Sequence, residues 1–71
     1  RLESYHYDES TPALTVEYKA EPGETLCYCP FPVHQLEAAL PMSYSVEKIG
    51  EGAYLCKIAT ESSGLQKVKI C

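Results

Sequence analysis

The chain has 71 residues, of which 45% are apolar, 23% are charged and four are cysteine, and its formal net charge is −4. It is too apolar for a disordered tail and too short for two domains, so we expect a single domain over residues 1–71. The longest apolar runs span only a few residues, which excludes a membrane segment, and the acidic balance argues against nucleic-acid binding.

The first twelve residues concentrate aromatic and titratable groups in Tyr5-His6-Tyr7-Asp8-Glu9, ahead of Ser10-Thr11-Pro12. Three interpretations stay open for residues 1–12. They form a short edge strand with both tyrosines on one face and His6 on the other, a mobile N-terminal segment, or a functional patch of aromatic contacts.

Two strands are predicted next, over Ala13–Ala20 and Glu24–Cys29. The first alternates in the manner of a half-buried antiparallel strand, with Leu14, Val16 and Tyr18 on one face. Pro22-Gly23 fits the central positions of a type II turn between the two strands. Cys27 and Cys29 leave the second strand on the same face, opposite Leu26 and Tyr28.

A helix is predicted at about residues 32–40. Pro32 suits a first helical position, and Val33, Leu36 and Leu40 recur at the spacing of one helix face. Pro41 ends the pattern. The outer side of this helix would present His34, Gln35 and Glu37.

Three further strands are predicted in the C-terminal half. Tyr44–Ile49 and Ala53–Thr60 flank Gly50-Glu51-Gly52 and fit a hairpin, and a turn at Glu61–Gly64 leads to the strand Leu65–Cys71. Lys67 and Lys69 suit an edge or a solvent face of that strand. The resulting order, β-β-α-β-β-β, predicts an α+β fold in which one helix packs on a small antiparallel sheet.

The cysteines predict two disulfides that staple this small domain, because an even count in a short chain is typical of secreted proteins. Cys27 and Cys29 are too close in sequence along one strand to bond each other without strain. Two pairings stay open: Cys27–Cys56 with Cys29–Cys71, which we favour, or Cys27–Cys71 with Cys29–Cys56. We therefore expect a secreted, extracellular protein.

The sequence contains candidate residues for a metal site and for catalysis. Cys27, Cys29, His34 and Cys56 could bind zinc, but the second closely spaced cysteine pair of such sites is missing, so no metal or cofactor is expected. A ribonuclease-like site would have to use His6 and His34 with a glutamate and a lysine, and nothing in the sequence fixes these near one another. We expect no enzymatic activity.

The arrangement over residues 13–71 resembles the small secreted, disulfide-bonded effector proteins of plant-pathogenic fungi. The likeness rests on the segment from Cys29-Pro30-Phe31-Pro32 to Leu40 and on the ending Ile70-Cys71. It is similar to the ribonuclease-like branch of those effectors, which implies a Cys29–Cys71 bridge and lost catalytic residues. A second branch consists of all-β sandwiches, and Ala53–Thr60 would suit one of its strands. That branch has no helix, unlike the pattern predicted here.

The resemblance implies a secreted, non-catalytic protein that binds a host protein and in some cases is translocated into host cells. Alternatives are a ribonuclease-like or killer-toxin-like protein and a small protease inhibitor, for which Cys29-Pro30-Phe31-Pro32 is the candidate loop. We expect a monomer that adds a partner strand at the N-terminal or the C-terminal strand, both plausible edges. The candidate binding residues fall into three groups: Tyr5, His6 and Tyr7; His34, Gln35 and Glu37; Lys67 and Lys69.

Overall fold

The computed structural model describes residues 2–39, 42–61 and 63–71. Within these residues the chain forms seven β-strands and no helix. The strands are β1 (Leu2–Asp8), β2 (Ala13–Ala20), β3 (Gly23–Cys29), β4 (Leu36–Ala38), β5 (Ser43–Gly50), β6 (Ala53–Thr60) and β7 (Gly64–Ile70).

The strands form two antiparallel sheets. The four-stranded sheet has the order β1-β2-β7-β4, and the three-stranded sheet has the order β3-β6-β5. Their inner faces share one core, because alternate residues of β2, β6 and β7 are buried while the residues between them face outward. The core residues are Leu14, Val16, Tyr18, Ala20, Cys29, Phe31, Cys56, Ile58, Val68 and Ile70.

The predicted α+β fold is wrong, because the segment assigned to the helix is an extended chain. Residues 32–35 are irregular, and Leu36–Ala38 forms β4, with Leu36 opposite Ile70. Gln35 and Cys71 exchange backbone hydrogen bonds of 2.8 and 3.0 Å. A nine-residue helix gains little from local propensity alone, so the pairing of Leu36–Ala38 with β7 decides the conformation of this segment.

The apolar spacing in this segment therefore has a different origin. Leu36 and Ala38 pack against the core while Glu37 is exposed, which is the alternation of a strand. Leu40 and Pro41, the predicted end of the helix, lie outside the described residues.

The other predicted strands are present. β2 has the predicted bounds, and the predicted hairpin is β5–β6, with Gly52 at a positive φ of 66° in its turn. The N-terminal residues form an edge strand, as the first of the three interpretations states. In the predicted turn at Glu61–Gly64, Ser62 lies outside the described residues.

Two details of the connections differ from expectation. Pro22-Gly23 does not join a hairpin, because β2 and β3 belong to different sheets; the turn carries the chain from one sheet to the other, with Gly23 at φ 125°. The strand β7 is not an edge over Val68–Ile70, which lie between β2 and β4. Its lysines face solvent, the second of the two predicted settings, with Lys67 opposite Glu17 and Lys69 opposite Glu37.

Candidate functional site

An apolar groove of about 610 Å³ opens between β1 and β3, at the side of the molecule where the two sheets part. The residues that line it come from both sheets and from the loop after β3: Leu2, Tyr5, Tyr7, Leu14, Val16, Tyr18, Thr25, Leu26, Cys27, Tyr28, Pro30 and Ile58. No charged side chain lines it among the residues that the structure describes. Its size and apolar lining are those of a binding site.

The two walls of the groove differ in how they are built. Four consecutive residues of β3, Thr25–Tyr28, line it. Since neighbouring side chains of a strand point to opposite faces, this wall is the strand's free edge. The other wall is formed by residues of β1, namely Leu2, Tyr5 and Tyr7. They lie opposite Tyr18, Val16 and Leu14 of β2 and so share the inner face of the four-stranded sheet. The groove is therefore bounded by a strand edge and by an uncovered sheet face.

The side chains at the rim of the groove are large and exposed. Tyr5 is 69% exposed and Tyr28 67%, and Leu2 and Leu26 are each more than half exposed. Isolated exposed apolar side chains are ordinary, but four of them around one apolar groove form a contiguous patch of the kind found at interaction sites.

An aromatic contact joins β1 to the loop after β3 beside the groove. The rings of Tyr7 and Phe31 stack with their centroids 6.0 Å apart and their planes 5° from parallel. Phe31 is buried in the core, so this contact fixes the loop after β3 against β1. The prolines on either side of Phe31 limit the freedom of that loop.

The floor of the groove contains a polar atom without a partner. Tyr18 Oη is buried and makes no hydrogen bond within the described part of the chain. Burial raises the pKa of Tyr18, and charge at Cys27 acts in the same direction, while hydrogen bonding from the Thr25 side chain to the ionised phenol opposes both. Tyr18 therefore stays a protonated phenol that can donate a hydrogen bond to a ligand.

Three thiols meet on the inner face beside the groove. Cys27 and Cys29 leave β3 on one face, as predicted, and Cys27 lies opposite Cys56 of β6. The Cys29 thiol donates to Cys27 O at 4.0 Å, and its interaction with the Cys27 side chain lowers the pKa of Cys27 to about 7. The same interaction, followed by burial, raises the pKa of Cys29, and burial raises the pKa of Cys56.

All four cysteines are free in this structure. The predicted disulfides are thus not formed here, and neither of the two pairings is tested. The register nevertheless brings together the first partners in the pairing that we favour, Cys27 and Cys56.

The predicted binding residues do not form one surface. Tyr5 and Tyr7 line the groove, whereas His6, opposite Thr15, is on the other face of the four-stranded sheet. On that outer face the register aligns His6, Thr15, Lys69 and Glu37 in one row across the four strands, with Lys67 opposite Glu17 beside it.

His34 and Gln35 lie at the opposite edge of this sheet from His6. Their backbone amides donate to Cys71 O at 2.8 Å, and Gln35 Nε2 donates to Glu37 Oε1 at 3.2 Å. His6 is in β1 and His34 just precedes β4, so the width of the sheet separates them, about 14 Å at ordinary strand spacing. The two histidines therefore do not converge on one cleft.

The sequence did not predict four residues that line the groove: Leu2, Tyr18, Leu26 and Tyr28. Alternation along Gly23–Cys29 did contain a signal: with both cysteines directed to the core, Leu26 and Tyr28 must face outward. The groove itself has no sequence signal, because it depends on which strands become sheet edges.

No group of three or more His, Cys, Asp or Glu side chains in residues 2–39, 42–61 and 63–71 is placed to hold a metal ion. The zinc alternative with Cys27, Cys29, His34 and Cys56 is therefore not assembled. In the same ranges, no helix has the length and apolar character needed to cross a bilayer. No family model, curated protein or solved structure matches the chain.

Proposed function

We propose that this is a secreted, non-catalytic binding protein of the effector type, which acts by binding a host protein through the groove between β1 and β3. One observation supports the proposal most: the largest exposed apolar side chains of β1 and β3 surround an apolar groove that reaches the core. Rigid tyrosine rings at a rim of this kind supply contact area at low entropic cost.

The all-β architecture favours the sandwich branch of the fungal effectors over the ribonuclease-like branch. The predicted helix was the reason to set the sandwich branch aside, and the described residues contain no helix. The separation of His6 from His34 also supports a binding role over ribonuclease-like catalysis, because general acid–base chemistry needs both groups at one substrate.

Affinity capture from plant tissue extract tests this proposal. The immobilised protein is compared with the double variant Tyr5→Ala/Tyr28→Ala and with a control, Ile49→Ala/Leu65→Ala, which removes exposed apolar side chains that do not line the groove. We expect a protein that the wild type and the control retain, that the groove variant loses, and that binds directly once purified. Equal capture by all three proteins, or hydrolysis of RNA by the wild type, would contradict the proposal.

A further inference from the structure

The three-stranded sheet has one strand fewer than the four-stranded sheet that it packs on. The contacts between the sheets show which strand of the larger sheet is left without a facing strand. Tyr18 of β2 is close enough to Thr25 and Cys27 for both to affect its pKa, so β3 lies across from β2. Tyr44 Oη of β5 donates to His34 O at 3.4 Å, which places β5 near the start of β4. With β6 between them facing β7, no strand of the described residues lies across from β1.

We propose that the groove accepts one extended segment of the partner protein, which pairs with the free edge of β3 and covers the inner face of β1. This inference rests on the proposed function and specifies what the partner supplies. A segment of about seven residues matches β3 in length and would give both sheets four strands. Main-chain hydrogen bonds to an exposed edge supply affinity, and alternate side chains supply specificity.

The lining of the groove determines which side chains the partner segment can direct inward. The inward side chains of the segment would contact Tyr5, Tyr7, Leu14 and Val16, and no described lining residue is charged. Charged side chains would lose their hydration there without a partner, so the inward positions require apolar residues. An inward threonine or serine is also accepted near Tyr18 Oη, because a hydroxyl oxygen can take the hydrogen bond that this phenol lacks.

The outward positions of the segment continue the outer face of the three-stranded sheet. They lie beside Glu24, Leu26 and Tyr28, all exposed. Opposite charges on neighbouring strands stabilise a sheet, so the outward residue next to Glu24 is a lysine or an arginine. The partner segment is therefore an extended strand that alternates apolar inward residues with outward residues that include a cation.

The experiment measures peptide binding by NMR titration of the purified protein. The probe is a seven-residue peptide, blocked at both ends, with isoleucine at alternate positions and threonine and lysine between them. Two further peptides are N-methylated at alternate amides, one at the odd and one at the even positions. Only one set of amides can face β3, so one methylated peptide should lose more than about tenfold in affinity while the other binds nearly as the parent does.

A charge reversal identifies the strand that accepts the peptide. Glu24→Lys should reverse the preference between peptides with lysine and with glutamate at the outward position. The matched control is Glu47→Lys on β5, the other edge of the three-stranded sheet, which should leave the preference unchanged.

Equal losses for both methylated peptides, a reversal with Glu47→Lys alone, or no binding by the parent peptide would overturn the strand-addition inference. The peptide titration and the capture experiment can fail independently. If the peptides fail but capture of a partner still requires Tyr5 and Tyr28, the proposed function stands and the partner binds the groove in another way.

Discussion

Cys27 lies directly opposite Cys56 in the antiparallel pairing of β3 with β6. Opposed residues of such a pair have Cα atoms about 4.5–5.5 Å apart, within the range that a disulfide spans. The bridge would tie β3, the strand that forms one wall of the groove, to the central strand of its sheet. The four cysteines are free in this structure, whereas a secreted protein would carry them as disulfides. The oxidation state of the cysteines therefore tests the secretion that we propose.

We predict that the oxidised protein contains Cys27–Cys56 and Cys29–Cys71. Intact mass after alkylation without reductant should show no added groups, and peptide mapping should recover these two pairs. The Cys27–Cys56 bridge should contribute about 3–4 kcal/mol to the free energy of unfolding, because it closes a long loop. Four alkylated cysteines would contradict both the disulfides and the secreted location.

In the reduced protein, Cys27 should be the thiol that reacts first. The thiolate is the reactive form, and the interaction with the Cys29 thiol lowers the pKa of Cys27 to about 7. Its alkylation rate should therefore rise with pH to a midpoint near 7 and then level off. Cys29→Ala removes this thiol and should move the midpoint upward towards that of an ordinary thiol. A midpoint that does not respond to this substitution would exclude the Cys29 interaction as the cause.

The shared core should tolerate truncation poorly. Ile58 is 1% exposed, and Ile58→Ala should lower the free energy of unfolding by about 2–5 kcal/mol through lost burial and a cavity. Ile49, which is 48% exposed on β5, provides the matched control, and Ile49→Ala should change stability by less than about 0.5 kcal/mol. Urea unfolding measures both. Similar costs at the two positions would show that the sheets do not enclose Ile58.

The strand β4 can be tested through the charges that it aligns with β7. Lys69→Glu places like charges opposite each other at Glu37 and should destabilise the protein by several tenths of a kcal/mol. The double variant Glu37→Lys/Lys69→Glu restores opposite charges and should recover most of that loss. If residues 36–38 were helical, Glu37 would not face Lys69 and the double variant would show no recovery.

Local patterns predicted most strands because alternation and turn residues act over a few positions. Ala13–Ala20 alternates apolar and polar residues along its whole length, and the glycines at positions 50 and 52 mark the hairpin that follows. The segment after Cys29 was misassigned for the same reason. Val33 and Leu36 fit a helix face locally, and only the distant partner Ile70 makes Leu36 part of a strand.

The candidate site was only partly predictable. Tyr5 and Tyr7 were recognised as aromatic contacts because they stand together in sequence, but Tyr28 and Tyr18 join them only through the packing of the two sheets. Likewise, Lys67 and Lys69 indicated an edge or a solvent face for β7, whereas the pairing with β4 places Val68–Ile70 inside the sheet. Strand order is a long-range property that alternation does not encode.

Amide hydrogen exchange of the free protein, measured by NMR, tests most directly whether β3 presents an open edge at the groove and whether β1 ends its sheet. An edge strand has only one neighbour, so about half of its amides lack a ladder partner and should exchange rapidly. We predict such an alternating pattern in β1 and β3, and continuous protection along β6 and over the residues of β2 and β7 that are paired on both sides. Protection of β1 and β3 equal to that of these central strands would contradict the open groove and the binding function inferred from it.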